Sequence, residues 1–296
     1  MLKQTLFFSN PAKLSLKDKQ LVISIKDSDD VITRPIEDIG YVVIENQQIL
    51  LTIPLVNELV SNNVCVIFCD AKNMPSSMLM GLNTNTTQAE SLKFQLDVSE
   101  PSRKQAWKQI VEQKIKNQAA LLDKLGVAHH NLKAYYNSVL SGDTSNREGI
   151  AARLYWKHLF GKDFRREREG LPPNNLLNYG YAILRAAAAR ALVGSGLLPM
   201  LGLFHRNRYN AFPLADDIME PYRPYVDEIV YGAAEEGLLN LDKEVKVRLL
   251  RLLVTDVIIG KMTRPLSIAL TTTSASLLKY YKGEIKKMSL PVFTCL

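Results

Sequence analysis

The stretch SRKQAWKQIVEQKIKNQAALLDKLG, residues 102–126, sets Ala106, Ile110, Ile115, Ala119 and Leu122 along one side of a helix, with lysine and glutamine opposite. Everything before it reads differently. TLFFSN (5–10), KLSLKDK (13–19), QLVISIK (20–26), DVITRPI (30–36) and YVVIEN (41–46) are short runs rich in Val, Ile, Phe and Thr. Asn-Pro, Lys-Asp and Asp-Ser-Asp-Asp turns break them, so they predict strands. A helix-like IPLVNELVSNN (53–63) then leads to VCVIFCD (64–70), an apolar run of buried-strand type. Pro75-Ser76-Ser77 and the polar GLNTNTTQ (81–88) separate this block from the rest of the chain.

Beyond residue 99 the period is helical. REGIAARLYWKHLFG (147–161) predicts a helix beginning near Glu148. LNYGYAILRAAAARALVG (177–194) predicts another, ended by Gly194-Ser195-Gly196 as a C-cap. Its glycine and alanine content lets neighbours approach closely, which places it at the centre of its domain. EPYRPYVDEIVYGAAEEGLL (220–239), KEVKVRLLRLLVTDVIIGKM (243–262) and LSIALTTTSASLLKYYKG (266–283) are read as further helices. The expected fold is α+β: a small N-terminal β-rich domain over 1–75, a linker over 76–98, and a larger all-α catalytic domain over 99–296.

The chain has 296 residues, 37 Lys and Arg against 30 Asp and Glu, and a net charge of +7. That length builds one large domain or two ordinary ones, and the basic balance suits a polyanionic partner. The three cysteines, Cys65, Cys69 and Cys295, form no CxxC pair and no zinc set; Cys65 and Cys69 lie in the apolar VCVIFCD run and read as buried thiols of a reducing compartment. MLKQTLFFSN is too short in apolar residues for a signal peptide, no apolar run reaches a bilayer span, and FTCL is not a prenylation box. A soluble cytoplasmic protein with no membrane partner is the expectation.

The chemistry concentrates in LFHRNRYNAFPLADDIMEP (203–221), where an apolar run leads into His205, one of four histidines, and then to Asp216, Asp217 and Glu220. On a helix Glu220 shares a face with Asp217 and with Asp216. Acids near a helix start also satisfy the dipole, and a lone histidine after an apolar run also fits a core position. Pro221 and Pro224 kink or restart the helix there. Imidazole plus carboxylates without thiolates suits a hard or borderline divalent ion, Mg²⁺ or Mn²⁺. A further acid, Glu148, lies in Ser145-Asn146-Arg147-Glu148, which has the form of a capping box with Ser145 as N-cap and Glu148 reaching back.

Three blocks together carry a resemblance: REGIAARLYWKHLFGKDFRR (147–166), the long segment 177–227, and the β-rich opening with FFSNPAKLSL (7–16). They resemble the CRISPR-associated integrases that capture new spacers, in the form found with type II systems, over nearly the whole chain. The resemblance implies a β domain followed by a helical catalytic domain, and a divalent ion held by a Glu, a His and an acidic residue. Matched position by position these are Glu148, His205 and Glu220, the last where many relatives carry aspartate, with Asp217 behind them or as a conditional ligand. It further implies transesterification, in which the 3′-hydroxyl of captured double-stranded DNA attacks a phosphodiester at the repeat boundary. Implied partners are a second copy of the chain, a small second adaptation protein whose dimer bridges two such dimers, and further type II CRISPR proteins.

Basic residues flank the site. Arg206 and Arg208 beside His205 are candidate phosphate contacts, and Lys162, Arg165, Arg166 and Arg168 form either a DNA-facing or a merely solvated loop. Tyr209, Tyr222 and Tyr225 fit base stacking or core packing. A structure-specific nuclease on branched DNA and a non-catalytic nucleic-acid scaffold are the alternative functions.

Overall fold

A computed structural model of the chain describes residues 3–81, 85–127, 132–205 and 207–294. It divides into two compact units, Met1–Thr84 and Asn85–Leu296. The first comprises β1 (Gln4–Phe8), β2 (Ala12–Lys17), β3 (Gln20–Ile25), β4 (Val31–Pro35), β5 (Ile39–Ile44), β6 (Leu50–Leu51), α1 (Ile53–Ser61), β7 (Cys65–Cys69) and β8 (Pro75–Leu79). One four-stranded sheet runs β1-β5-β7-β8 and the other β4-β3-β2-β6. The β2–β3 hairpin turns on Asp18 and Lys19, both left-handed (φ 50° and 57°), the backbone that matches strand twist in a two-residue loop. Leu14, Leu21, Ile36, Val42, Leu55, Leu59 and Val66 form the shared core. Cys65 and Cys69 are buried in β7, and Cys295 lies outside the described residues.

The second unit carries α2 (Gln88–Asp97), α3 (Glu100–Lys124), α4 (Leu132–Asn137), α5 (Arg147–Phe160), α6 (Asn174–Gly194), α7 (Pro213–Met219), α8 (Arg223–Glu235), α9 (Lys243–Leu250), β9 (Asp256–Ile259), β10 (Met262–Pro265), α10 (Leu266–Tyr281) and β11 (Pro291–Val292). A strand-rich N-terminal region followed by helices is the architecture the periodicity predicts. Three local readings are corrected. The stretch 76–98 is not a structureless link: most of β8 lies in it and pairs with β7, and α2 belongs to the helical unit. There Gln95 donates to Leu198 O (3.0 Å) and accepts from Leu198 N (2.9 Å). Pro75 is tolerated because β8 is an edge strand. Residues 256–265 form a hairpin rather than continuing a helix, since the β-branched Val257-Ile258-Ile259 run meets Gly260 at φ 62°.

The third correction concerns α3. Ser99 caps it by accepting from Ser102 N, and its apolar side is buried through Ala106, Ile110, Ile115 and Leu122. Its polar residues do not all face solvent, however: Lys104, Gln105 and Lys116 are exposed, but Lys114, Asn117 and Gln118 are buried. Asn117 Nδ2 donates to Pro221 O (2.7 Å) and Pro291 O (3.0 Å), while its Oδ1 accepts from Phe293 N (3.1 Å). A 25-residue helix is thus a central post to which a helix break and the C-terminal strand are tied. In α6, Gly180 faces α8 so closely that a Cβ would lie 2.5 Å from Val226 Cγ1.

Gly180→Ala sets helix propensity, a gain of up to ~1 kcal/mol, against overpacking of about 1–3 kcal/mol. With so short a contact the second term wins, and thermal unfolding is expected to show a lower Tm for the alanine variant.

Candidate metal centre

Glu148 enters the site from the first turn of α5, and it is free to do so because other residues cap that helix. Asn146, left-handed at φ 50° and ψ 44°, accepts from Gly149 N (3.2 Å). The Asp143 carboxylate accepts from Arg147 N (2.8 Å) and Glu148 N (3.0 Å). The capping-box reading is therefore corrected: Ser145 is not the N-cap, and Glu148 does not reach back. Its Oε1 instead accepts from Lys114 Nζ at 2.5 Å, across from α3.

Glu220 enters from a break. Pro221 cannot continue α7, so the chain makes one 3-10 turn over Glu220–Tyr222 and restarts as α8. The Glu220 side chain is 3% exposed, with Oε1 at 3.0 Å from Arg223 Nη2 and Oε2 at 2.6 Å from Lys114 Nζ. One ammonium thus lies between two carboxylates from separate elements. Burial works to lower the Lys114 pKa, but Glu148 and Glu220 outweigh it and the group is raised. Burial pushes Glu220 up, and Arg223 and Lys114 more than reverse it, so the carboxyl is held below its ordinary value. Lys114 and Glu220 are therefore both charged at neutral pH.

His205 is positioned by Asp217. That carboxylate is fully buried and accepts from Leu203 N (2.6 Å), Phe204 N (3.1 Å) and His205 N (3.3 Å), fixing the loop that carries the imidazole. It also lies 2.6 Å from His205 Nδ1, which leaves Nε2 as the nitrogen Asp217 does not hold. The loop approaches closely at Gly202, where a Cβ would sit 2.7 Å from His205 O. Trp107 stacks on Phe204 (4.5 Å, 3°) and meets the His205 ring edge-on (5.7 Å). The bond to Asp217 raises the His205 pKa against the opposing effect of burial, and the fields of Glu220 and Glu148 add to the rise.

Asp216, the third acid of the motif, turns away to Arg185 Nε (2.9 Å) and Asn210 Nδ2 (2.7 Å). Tyr222 and Tyr225 are committed to packing, donating or accepting at Thr273 Oγ1 (2.7 Å) and donating to Val292 O (3.1 Å) respectively. Arg166 is not a solvated loop residue, since it donates to Asn174 Oδ1 (3.0 Å) and Asn178 Oδ1 (2.8 Å). Arg208 is exposed, lies over the Tyr209 ring, and with Arg103, Asn207, Asn210 and Tyr281 lines a cavity of about 360 Å³ beside His205. Arg206 lies outside the described residues.

Three supports have no counterpart in the sequence reading: Lys114, Arg223 and Asp227. Arg223 stacks on the Tyr181 ring (4.5 Å), and Asp227 accepts from Tyr155 OH (2.8 Å) and from Tyr181 OH. Burial drives Asp227 up to about 7 against those donors. The spacing of Glu220 and Arg223, three apart on a helical path, is a legible pairing signal. Lys114 sits in an unremarkable polar stretch and announces nothing.

Among the described residues, no set of three or more His, Cys, Asp and Glu is already gathered as ligands. Two carboxylates face a shared cation, with an imidazole held nearby by a buried acid. Glu220 Oε2 is buried, and the group it faces is the Lys114 ammonium at 2.6 Å. This oxygen-rich donor set fits a hard divalent ion, and the Lys114 ammonium stands where such a cation would.

Fold and site together define a two-unit α+β protein with an acidic, cation-holding centre in its helical unit. The profile of the family described as CRISPR associated protein Cas1 matches residues 6–256. The CRISPR-associated endonuclease Cas1 of Neisseria meningitidis serogroup C (strain 8013) is 42% identical over 241 residues, 81% of this chain and 78% of that one. The chain belongs to the Cas1 family. Its fold also matches a casposase bound to integration product (TM-score 0.77, 20% identity, 99% of this chain and 93% of that one). A chain of a Cas6-RT-Cas1–Cas2 complex matches at TM-score 0.73 and 19% identity, over 96% of this chain and 35% of that one. Among the described residues no helix is long and apolar enough to cross a membrane.

Asp217→Asn is expected to lower the His205 pKa, followed by NMR titration of the ring protons. Because the folded value is raised above the ordinary 6.5, the wild-type pairing stabilises fully below that value. That stabilisation is lost as pH rises through the folded pKa, so the variant should show a smaller fall in Tm from pH ~5 to ~8.

Proposed function

We propose that the protein is a metal-dependent DNA integrase of CRISPR adaptation, joining 3′-hydroxyl ends of captured double-stranded DNA to the repeat by transesterification. The observation that carries this reading is the convergence of Glu148 and Glu220 on one cation within 2.6 Å, with His205 held beside them. Glu148, His205 and Glu220 would hold Mg²⁺ or Mn²⁺, and Asp217 would orient His205 through Nδ1 rather than bind the ion itself. When bound, the ion supplies charge stabilisation at the phosphoryl group and lowers the pKa of the attacking hydroxyl.

The remaining work belongs to the chain. Burial of Glu220 and its pairing with Arg223 keep a charged carboxylate at a fixed place, so no reorganisation is needed as charge develops. In the reaction the 3′-oxygen bonds to phosphorus, the bond from phosphorus to its former 3′-oxygen breaks, and the proton passes from one hydroxyl to the other. No water is consumed. Arg208 and Arg206 would meet phosphates near His205, and the net charge of +7 supports salt-dependent DNA binding. Membership of the Cas1 family, and likeness to a chain solved in a complex with Cas2, support assembly with a small second adaptation protein, and a second copy of this chain is proposed from the sequence resemblance alone.

Strand joining separates this reading from the alternatives. A labelled short duplex with 3′-hydroxyl ends, a supercoiled repeat plasmid and the small partner are incubated in Mn²⁺ or Mg²⁺. Joined product is expected, and Glu148→Ala, His205→Ala and Glu220→Ala should each reduce it by at least about two orders of magnitude while duplex binding persists. Free 5′-phosphate ends from branched DNA without joining would indicate a nuclease. Full activity in the variants would indicate that the site lies elsewhere.

A further inference from the structure

The position of Lys114 goes beyond ligand assignment. Its Nζ lies 2.5 Å from Glu148 Oε1 and 2.6 Å from Glu220 Oε2, and its side chain is 8% exposed. Two charged carboxylates brought this close repel unless a cation lies between them, and a buried one is costly without it. Arg223 does not fill that role, because it engages the other oxygen of Glu220. A divalent ion needs oxygen ligands at about 2.0–2.6 Å, so it would compete for the same oxygens that Lys114 holds. Two cations at one pair of oxygens repel each other at short range in a poorly solvated site.

We propose that Lys114 is the resident cation of the metal-free protein, bridging Glu148 and Glu220, and that a divalent ion enters by displacing it. The inference rests on the metal-site reading above. A lysine suits this role where an arginine does not. Its charge is a compact point on a flexible four-carbon stem, able to withdraw without moving α3, while the planar guanidinium of Arg223 stays on Glu220. Lys114 thereby holds α3, α5 and the Glu220 turn together before metal arrives. The same contact weakens metal binding, because each uptake event breaks two ion pairs.

The test is Mn²⁺ titration, read by electron paramagnetic resonance of the free ion, on wild type, Lys114→Met, Lys114→Gln, Lys114→Arg, Glu148→Gln and Glu220→Gln, with Tm measured with and without Mn²⁺. Lys114→Met and Lys114→Gln should bind Mn²⁺ about tenfold more tightly than wild type, the low end of what a close charge pair contributes. Their metal-free Tm should fall and be restored by Mn²⁺. Lys114→Arg keeps the charge and should not bind more tightly. Should the methionine variant not fold, the glutamine variant, which keeps a polar contact, gives the same reading. A folded Met or Gln variant that binds Mn²⁺ no more tightly than wild type overturns displacement while leaving the metal site standing. Wild type with no Mn²⁺ binding that Glu148→Gln and Glu220→Gln weaken overturns the metal reading, and this inference with it.

Discussion

A single ammonium between two carboxylates ties the helical unit together at its centre. Lys114 comes from the middle of α3, Glu148 from the first turn of α5, and Glu220 from the break between α7 and α8. Breaking such a buried pair by removing one partner costs about 3–5 kcal/mol, a large share of a domain's net stability. Asn117, three residues beyond Lys114, adds a neutral tie to the same break by donating to Pro221 O. The break therefore cannot drift relative to α3, and the carboxylate of Glu220 is set by backbone and charge together.

Around that contact each charged group has a holder of its own. Glu220 has Arg223, which in turn lies on the Tyr181 ring, and Tyr181 donates to the buried Asp227. His205 has Asp217, whose two oxygens take three backbone N–H groups besides the ring nitrogen. Burial of so many ionisable groups is tolerable only when nearly all are satisfied, and satisfied networks are rigid. Rigidity is what the proposed phosphodiester chemistry would need, since its electrostatics must be in place before charge develops.

Much of this was legible in the sequence because local rules govern it. The strands of the first unit follow β-branched runs and their turns, and Pro221 announces the break that delivers Glu220. Other features answer to tertiary contacts that no local pattern encodes. Ser145-x-x-Glu148 satisfies the form of a capping box, yet Asp143 and Asn146 take the capping bonds and release Glu148 inward. On α3 the lysines and glutamines opposite the apolar side mostly do meet solvent, and only packing against α5 and the Glu220 turn sets Lys114 apart from them. Residues 243–262 read as one helix, whereas the β-branching of Val257-Ile258-Ile259 and Gly260 decide for a hairpin over 256–265. The assignment of Glu148, His205 and Glu220 to one centre came from family resemblance, since periodicity leaves capping, core and ligand roles open for each.

Anomalous diffraction at the manganese edge, from crystals of the protein soaked in Mn²⁺, addresses the centre most directly. A single strong peak among Glu148, His205 and Glu220, with the Lys114 ammonium withdrawn from between the carboxylates, is the expected result. A peak coordinated elsewhere in the helical unit, or none at this centre with Lys114 still bridging both carboxylates at saturating Mn²⁺, would contradict it.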